Sequence, residues 1–274
     1  MFSVSVRRVS RRTVEFASGT EREIGQGSIE RRLEVRKKVV LSWSGGKDSA
    51  MALHELRQDH RYEVVGLLTS VATEYRRISH HGVREELLEM QADAIGLPLD
   101  RLYLPSDSGL PCTNDRFEEL MGRTLQRYCD AGVFRVAHGD LFLEDLRAYR
   151  EKNLARLGMQ GIFPLWQRNT TRLIHTFIRL GFKAYLCCVE GKLGAGFAGR
   201  AIDKNLIDDL PEGIDPCGEY GEFHSFVYDG PIFERPLEIV VGEVVHRDTR
   251  YYADLLPAGW SSGDIDIPPI GRVY

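Results

Sequence analysis

A short apolar segment near residue 40 runs directly into a glycine-rich loop. Residues 39–43 read Val-Val-Leu-Ser-Trp and predict a buried strand, and a helical pattern follows over residues 48–58. Glycines let backbone N–H groups approach an anion, and a helix N-terminus adds partial positive charge. The sequence therefore predicts an anion-binding turn between a strand and a helix.

Six residues form this turn: Ser44, Gly45, Gly46, Lys47, Asp48 and Ser49. The lysine adds a full positive charge, and the two serines add hydroxyl donors. The acidic side chain of Asp48 would repel phosphate unless it held Mg²⁺. The turn is not a Walker A motif, because that motif needs Ser or Thr directly after its lysine. A glycine-rich turn that binds no phosphate is the structural alternative.

Strand and helix patterns alternate from residue 38 to about residue 140. Strands are predicted at 62–69, 99–104 and 133–137, with helices at 84–95 and from an Asn114–Asp115 cap. This alternation indicates an α/β fold with a parallel, doubly wound sheet. Ligands bind beyond the carboxyl ends of such strands. The turn at 44–49 and the pair Gly139 and Asp140 both follow predicted strands, so we expect them on one rim.

The second half of the chain has a different pattern. A helix is predicted near 169–180, with strands at 184–189, 225–228, 237–245 and 251–255. We therefore predict a nucleotide-binding domain at residues 38–155 and a smaller α/β domain at residues 156–274.

The N-terminal segment is basic, since residues 1–38 carry ten Lys or Arg against five Glu. It lacks the apolar core of a secretory signal, and no stretch of the chain is apolar for long enough to span a membrane. We expect residues 1–37 to be a flexible extension. The cysteine number is odd and no Cys-x-x-Cys pair occurs, which favours a reducing cytoplasm over a disulfide framework or a zinc site.

Four motifs together carry a resemblance to known proteins. The Ser-Gly-Gly-Lys-Asp-Ser turn resembles the PP-loop of the ATP pyrophosphatase superfamily. His81-Gly82, the string GDLFLEDLR at 139–147 and the string DPCGEYGEFHS at 215–225 resemble the diphthine–ammonia ligase family. The resemblance spans residues 38–245. It implies a first domain of the adenine-nucleotide α-hydrolase type and a second domain peculiar to the family.

The resemblance also implies a reaction. ATP adenylates the diphthine carboxylate of elongation factor two, pyrophosphate leaves, and ammonia displaces AMP. The implied cofactors are ATP and Mg²⁺, and the implied enzyme is an AMP-forming carbon–nitrogen ligase. The expected partners are ATP, ammonia and a carboxylate acceptor, with no membrane. A homodimer is one state that we consider.

The 219–224 segment departs from the family pattern Glu-Gly-Gly-Glu-Tyr-Glu. Tyr220 replaces a small residue and His224 replaces a carboxylate, while Asp-Pro-Cys-Gly just before them is closer to bacterial-type relatives. Bacteria are not expected to make diphthamide. The resemblance therefore supports the ATP chemistry more strongly than it identifies the acceptor.

The predicted site contains a catalytic and a nucleotide-binding set. The catalytic set is Lys47, Asp48, Glu219, Glu222 and His224, with Asp48 as the metal ligand. The nucleotide-binding set is the six-residue turn, Ser44 to Ser49, together with His81, Gly139 and Asp140. The residues outside the turn also have a structural interpretation without a function. Glu219 and Glu222 could be solvated, His224 could be structural, His81 could lie in a plain loop, and Asp140 could begin a capped helix.

Two other functions remain open. A PP-loop sulfur transferase could use Cys217 as a reactive thiol on tRNA or a small molecule, although the same cysteine also reads as a small buried hydrophobe. A non-catalytic protein could hold an adenine nucleotide without turnover, but such a protein would be expected to lose the lysine or aspartate of the turn.

Overall fold

The computed structural model describes residues 35–78, 81–106 and 112–260, which belong to one compact unit. The basic extension predicted at residues 1–37 lies almost wholly outside the described residues. The α-helices are α1 (Lys47–Gln58), α2 (Glu85–Ile95), α3 (Asn114–Asp130), α4 (Glu144–Ala155), α5 (Thr170–Arg179) and α6 (Lys204–Asp209). The strands are β1 (Lys37–Ser42), β2 (Tyr62–Ala72), β3 (Arg77–Ile78), β4 (Leu99–Leu104), β5 (Arg135–Ala137), β6 (Gln160–Ile162), β7 (Lys183–Glu190), β8 (Phe223–Asp229), β9 (Ile239–Arg247) and β10 (Arg250–Pro257).

The first sheet is mostly parallel and has β1 at its centre. Strands β2 and β5 flank β1, and β6 extends the sheet beyond β5. Strand β4 runs parallel to β2 on the edge away from β1, and the short β3 pairs antiparallel with the end of β2. The carboxyl ends of β1, β2 and β5 therefore meet on one rim, as the sequence predicts.

Helices cover both faces of this sheet, which confirms the doubly wound fold. Side chains alternate along a strand, so Val39 and Leu41 lie in one hydrophobic cluster and Val40 lies in another. The first cluster contains the buried faces of α1 and α2, while the second contains Leu125 of α3 and Leu154 of α4.

The second sheet is antiparallel, with strand order β8-β7-β10-β9. Helix α5 packs Leu173, Ile174 and Phe177 into the same hydrophobic cluster that holds α1 and α2. The two sheets therefore share a core, and Cys187 and Cys188 of β7 are buried in it.

Local details differ from the sequence prediction. Helix α3 is capped by Thr113, whose Oγ1 accepts from the Arg116 backbone N–H, so the Asn114–Asp115 cap was one residue late. Strand β6 was not predicted because it has three residues, one of them Gly161. It belongs to the first sheet although it follows residue 155. The domain limits 38–155 and 156–274 stay a prediction.

Across the described ranges, no helix is long and apolar enough to cross a membrane.

A buried ion cluster joins the two sheets. Asp254 of β10 is fully buried and accepts from Arg77 (3.0 Å) and from Arg84, which binds both of its oxygens (3.0 and 2.8 Å). Arg77 also donates to the Gly82 carbonyl at 2.7 Å. The cluster thus fixes Arg77, Gly82 and Arg84 against the second sheet.

We expect Asp254→Asn to lower the free energy of unfolding by about 3 kcal/mol or more, because two largely buried guanidinium groups lose their carboxylate. Urea unfolding followed by circular dichroism measures the change. The control is Asp59→Asn, which removes an exposed carboxylate bound to Arg61 and should leave stability within experimental error. Equal effects of the two substitutions would contradict a structural role for the cluster.

Candidate functional site

The glycine-rich turn lies between β1 and α1 and lines a cavity of about 410 Å³. The turn contributes Ser44, Gly46, Lys47 and Asp48. The opposite wall comes from the segment at 218–225, which precedes and begins β8. The structure therefore brings together the two motifs that sequence analysis placed far apart in the chain.

Three positions around the site require glycine, either for the backbone conformation or for space. They are Gly45 and Gly46 of the turn and Gly139 in the loop after β5. Gly45 has a φ of +77°, which L side chains rarely adopt, and a Cβ on Gly46 would lie 2.9 Å from the Ser225 carbonyl oxygen. A Cβ on Gly139 would lie 2.8 Å from the Asp48 carbonyl carbon. The loop after β5 therefore packs directly against the start of α1.

Lys47 carries a buried charge, with 5% of the residue exposed. Its Nζ lies 2.8 Å from Asp48 Oδ2 and 5.7 Å from the centre of the Phe223 ring. Burial acts to lower the pKa of Lys47, but the negative charges around it, led by Asp48, raise that pKa above its usual value. Lys47 is therefore a fixed positive charge at the cavity wall.

Asp48 combines an ion pair with an unused oxygen. Its Oδ2 binds Lys47, whereas its buried Oδ1 has no hydrogen-bond partner in the part of the chain that the structure describes. Asp140 lines the neighbouring cavity and pairs with Arg150 at 2.7 Å. No cluster of three or more metal-ligating side chains occurs among the described residues.

A larger cavity of about 700 Å³ adjoins the first and shares Ser44, Asp48, Glu219 and other lining residues with it. It lies over the carboxyl ends of the parallel strands. Part of its wall is apolar and is formed by Leu68, Leu104, Phe117 and Met121. The two cavities thus form one continuous site with a charged part and a mixed apolar part.

Two buried polar side chains line the larger cavity without partners among the described residues. They are Thr69, through Oγ1, and His138, through both ring nitrogens. His138 is 6% exposed, and burial together with the Arg150 charge holds its pKa well below the usual value. A neutral imidazole has one donor and one acceptor to offer a ligand. Sequence analysis missed both residues, although each stands at the end of a predicted strand.

Glu219 reaches both cavities from the second motif. Its Oε1 accepts from the backbone N–H groups of Leu141 (3.2 Å) and Phe142 (3.0 Å). Burial and the nearby charge of Asp48 raise its pKa to about 7, although these N–H groups and Lys47 act in the opposite direction. Glu219 is thus a carboxylate that can gain or lose a proton near neutral pH.

Glu222 has a different position from the one predicted for it. It is 2% exposed, lines neither cavity, and accepts from the backbone N–H groups of Asp215 (3.1 Å) and Tyr220 (2.9 Å). These bonds hold the turn that presents Glu219. Glu222 therefore shapes this turn, and its predicted catalytic role stays a prediction.

The two predicted histidines meet at the site. The rings of His81 and His224 lie 4.6 Å apart, and both residues line both cavities. His81 precedes α2 and His224 lies in β8, so the contact joins elements of both sheets. Tyr220 lies at the mouth of the smaller cavity and is 72% exposed.

Cys217 is buried. Its thiol donates to the Thr170 carbonyl at 3.2 Å, and burial raises its pKa to about 12 although the Lys47 charge acts to lower it. The thiolate is the nucleophilic form of cysteine. The environment therefore favours the reading of Cys217 as a small buried side chain.

A doubly wound parallel sheet with this turn between β1 and α1 defines an α/β protein of the PP-loop ATP pyrophosphatase type. Comparisons with known proteins narrow this class. Residues 37–161 match the model of the diphthamide synthase N-terminal domain, and residues 169–256 match that of the diphthamide synthase C-terminal domain. The chain therefore belongs to the diphthamide synthase family.

Curated relatives carry the name diphthine–ammonia ligase. The Danio rerio protein is 28% identical over 244 residues, which cover 78% of this chain and 91% of the relative. The Mus musculus protein is 26% identical over 244 residues, covering 79% and 88%. The Homo sapiens protein is 26% identical over 241 residues, with the same coverage.

The raised pKa of Glu219 predicts a pH dependence of stability. Between its ordinary pKa of 4.5 and about 7, the folded protein holds a proton that the unfolded chain releases. The free energy of unfolding should therefore fall as pH rises through this window, relative to Glu219→Gln. Urea unfolding of both proteins at several pH values measures the difference. Parallel pH profiles would show that Glu219 titrates normally.

Proposed function

We propose that the protein is an ATP-dependent ligase that adenylates a carboxylate and then amidates it with ammonia, as a diphthine–ammonia ligase does. The observation that carries this proposal is the buried Lys47, held in an anion-binding turn and facing Glu219 across a single cavity. The family membership supports the same reaction, and the names of the relatives supply its acceptor, diphthine, and its donor, ammonia.

The two cavities suit the two parts of ATP. The phosphates would lie in the smaller one, against Lys47 and the start of α1, where a helix N-terminus and a lysine both attract negative charge. The nucleoside would lie in the larger one, with its base on the apolar wall. Thr69 and His138 would then find hydrogen-bond partners that the protein itself does not provide.

Mg²⁺ fits the residues present. The ion is usually bound by one or two carboxylates together with substrate phosphates and water, so a cluster of protein ligands is not required. Asp48 has a buried oxygen without a partner beside the phosphate site, and we assign it as the metal ligand. Mg²⁺ would neutralise phosphate charge there.

The residues of the second motif would serve the acceptor and the amine. An acceptor carboxylate oxygen attacks the α phosphorus, the bond to the β phosphate breaks, and pyrophosphate leaves. Glu219, with a pKa near 7, takes a proton from bound ammonium. Ammonia then attacks the acyl carbon, the bond between that carbon and the AMP oxygen breaks, and the surplus proton on nitrogen passes to the departing AMP phosphate. His224 faces the same space and would help to orient the acceptor.

We also propose that the protein works in the cytoplasm. All five cysteines lie in the described residues and are free, which supports a reducing cytoplasm. The homodimer and the flexible basic extension stay predictions.

The nucleotide products test the reaction. With Mg-ATP, ammonium and a diphthine-bearing elongation factor, we expect AMP and pyrophosphate from the wild type and at least about a hundredfold less from Lys47→Ala, because the charge that holds the phosphates is gone. The matched control is Lys192→Ala, which removes an exposed lysine that pairs with Glu190. Formation of ADP would refute the proposal, and intact ATP with every acceptor would favour the non-catalytic nucleotide-binding protein.

Substitution of Cys217 separates ligation from sulfur transfer. We expect Cys217→Ser to retain AMP formation within about threefold, because a buried thiol that donates to a carbonyl is replaced by a similar donor. The initial rate of pyrophosphate release measures this, with thermal unfolding as the check on folding. Loss of turnover in a folded variant would support the sulfur transferase acting on tRNA or a small molecule.

A further inference from the structure

The phosphate turn is joined to β8 of the second sheet by direct hydrogen bonds. The Val227 N–H donates to the Gly45 carbonyl at 2.9 Å. Gln91 connects the same two segments, since its Nε2 donates to the carbonyls of Gly45 (3.0 Å) and Val227 (2.6 Å). The position of the turn thus depends on a strand that lies about 180 residues later in the chain.

Ser225 makes the bond closest to the phosphate site. Its Oγ accepts from the Lys47 backbone N–H at 3.1 Å, at the first residue of α1. Ser225 is 3% exposed and lines the smaller cavity. A Cβ atom on Gly46 would lie only 2.9 Å from the Ser225 carbonyl oxygen, so Ser225 packs closely against the turn. The hydroxyl is therefore packed into the wall of the cavity that the turn surrounds.

A serine hydroxyl has one proton to donate and two lone pairs that accept. The Lys47 N–H uses an accepting lone pair, so the proton of Ser225 can be donated to an anion in the same cavity. In this arrangement the Lys47 N–H at the start of α1 is bound to Ser225, and the Ser225 hydroxyl donates to the phosphates in its place. The second sheet would thus provide a hydrogen-bond donor to the phosphates. It would also provide the residues that serve the acceptor carboxylate and the amine.

We propose that Ser225 is a phosphate-binding residue, which donates its hydroxyl proton to the pyrophosphate part of ATP and makes the phosphate site a joint product of both sheets. This inference rests on the proposed function, because it takes the anion in the cavity to be a polyphosphate. A role confined to capping α1 predicts something different, namely a loss of stability that affects every ligand equally.

The test compares ligands that do and do not carry the pyrophosphate group. Isothermal titration calorimetry with Mg-pyrophosphate, Mg-ATP and AMP would be run on the wild type, Ser225→Ala and Ser225→Thr. We expect Ser225→Ala to raise the dissociation constants of pyrophosphate and ATP by about tenfold, since it removes a hydrogen bond to a charged group, and to leave AMP within about twofold. Ser225→Thr keeps the hydroxyl and should stay within about threefold of the wild type for all three ligands.

The control is Tyr228→Phe, which removes a hydroxyl from the same strand where its ring stacks on Tyr185, away from the turn. It should change none of the three affinities. If Ser225→Ala does not fold, the comparison passes to Ser225→Cys, which fills the same space with a weaker donor and should show the same selective loss.

Equal weakening of AMP and pyrophosphate binding, or no change at all, would overturn the role of Ser225. Lys47→Ala distinguishes this from failure of the proposed function. If Lys47→Ala weakens pyrophosphate binding and Ser225→Ala does not, only the inference about Ser225 falls. If neither variant weakens it, the phosphate site itself is misassigned.

Discussion

The charge of Lys47 is buried, and the rest of the site is arranged around it. An isolated ammonium in a protein interior costs several kcal/mol, which only close opposite charges and hydrogen bonds offset. Asp48 supplies the nearest negative charge, and Glu219 adds a weaker one. Without substrate, the ammonium is balanced by these carboxylates. A polyphosphate entering the cavity would meet a positive charge that is already desolvated and fixed in place, so little reorganisation is needed on binding.

Two glutamates three residues apart have different tasks because their surroundings differ. Glu222 receives two backbone N–H bonds on separate oxygens and is enclosed by the turn it stabilises. Glu219 receives its bonds on one oxygen only, from the loop after β5, and its side chain borders both cavities. The same chemical group thus holds a turn in one place and borders the cavities in the other. Environment rather than residue type decides the role.

Sequence analysis predicted the parts of the molecule that depend on local patterns. The strand–turn–helix at 39–58 and the doubly wound sheet follow from alternating apolar periods and glycine placement, and the structure confirms both. The pairing of the turn with Ser225 could not be predicted, because it depends on the packing of two sheets that are distant in sequence. The buried His138 could not be recognised for a similar reason: a histidine after a strand carries no signal until its burial is known. The position of Glu222 outside both cavity walls could not be predicted either, because a motif shows which residues are present but not which way each side chain faces.

The common core of the two sheets explains how residues from both sheets can form one site with a fixed geometry. Leu53 of α1 and Phe226 of β8 belong to one hydrophobic cluster, so the turn and the second motif cannot separate without exposing apolar surface. In the reaction that we propose, an acyl-adenylate would have to be kept from water until ammonia arrives, and walls from both sheets would limit that access. A single α/β domain would provide the turn, but the face of the turn that carries Lys47 would be exposed to solvent. Burial of that lysine against Phe223 and Ser225 therefore requires the second sheet, and the chemistry we propose is a property of the joined unit.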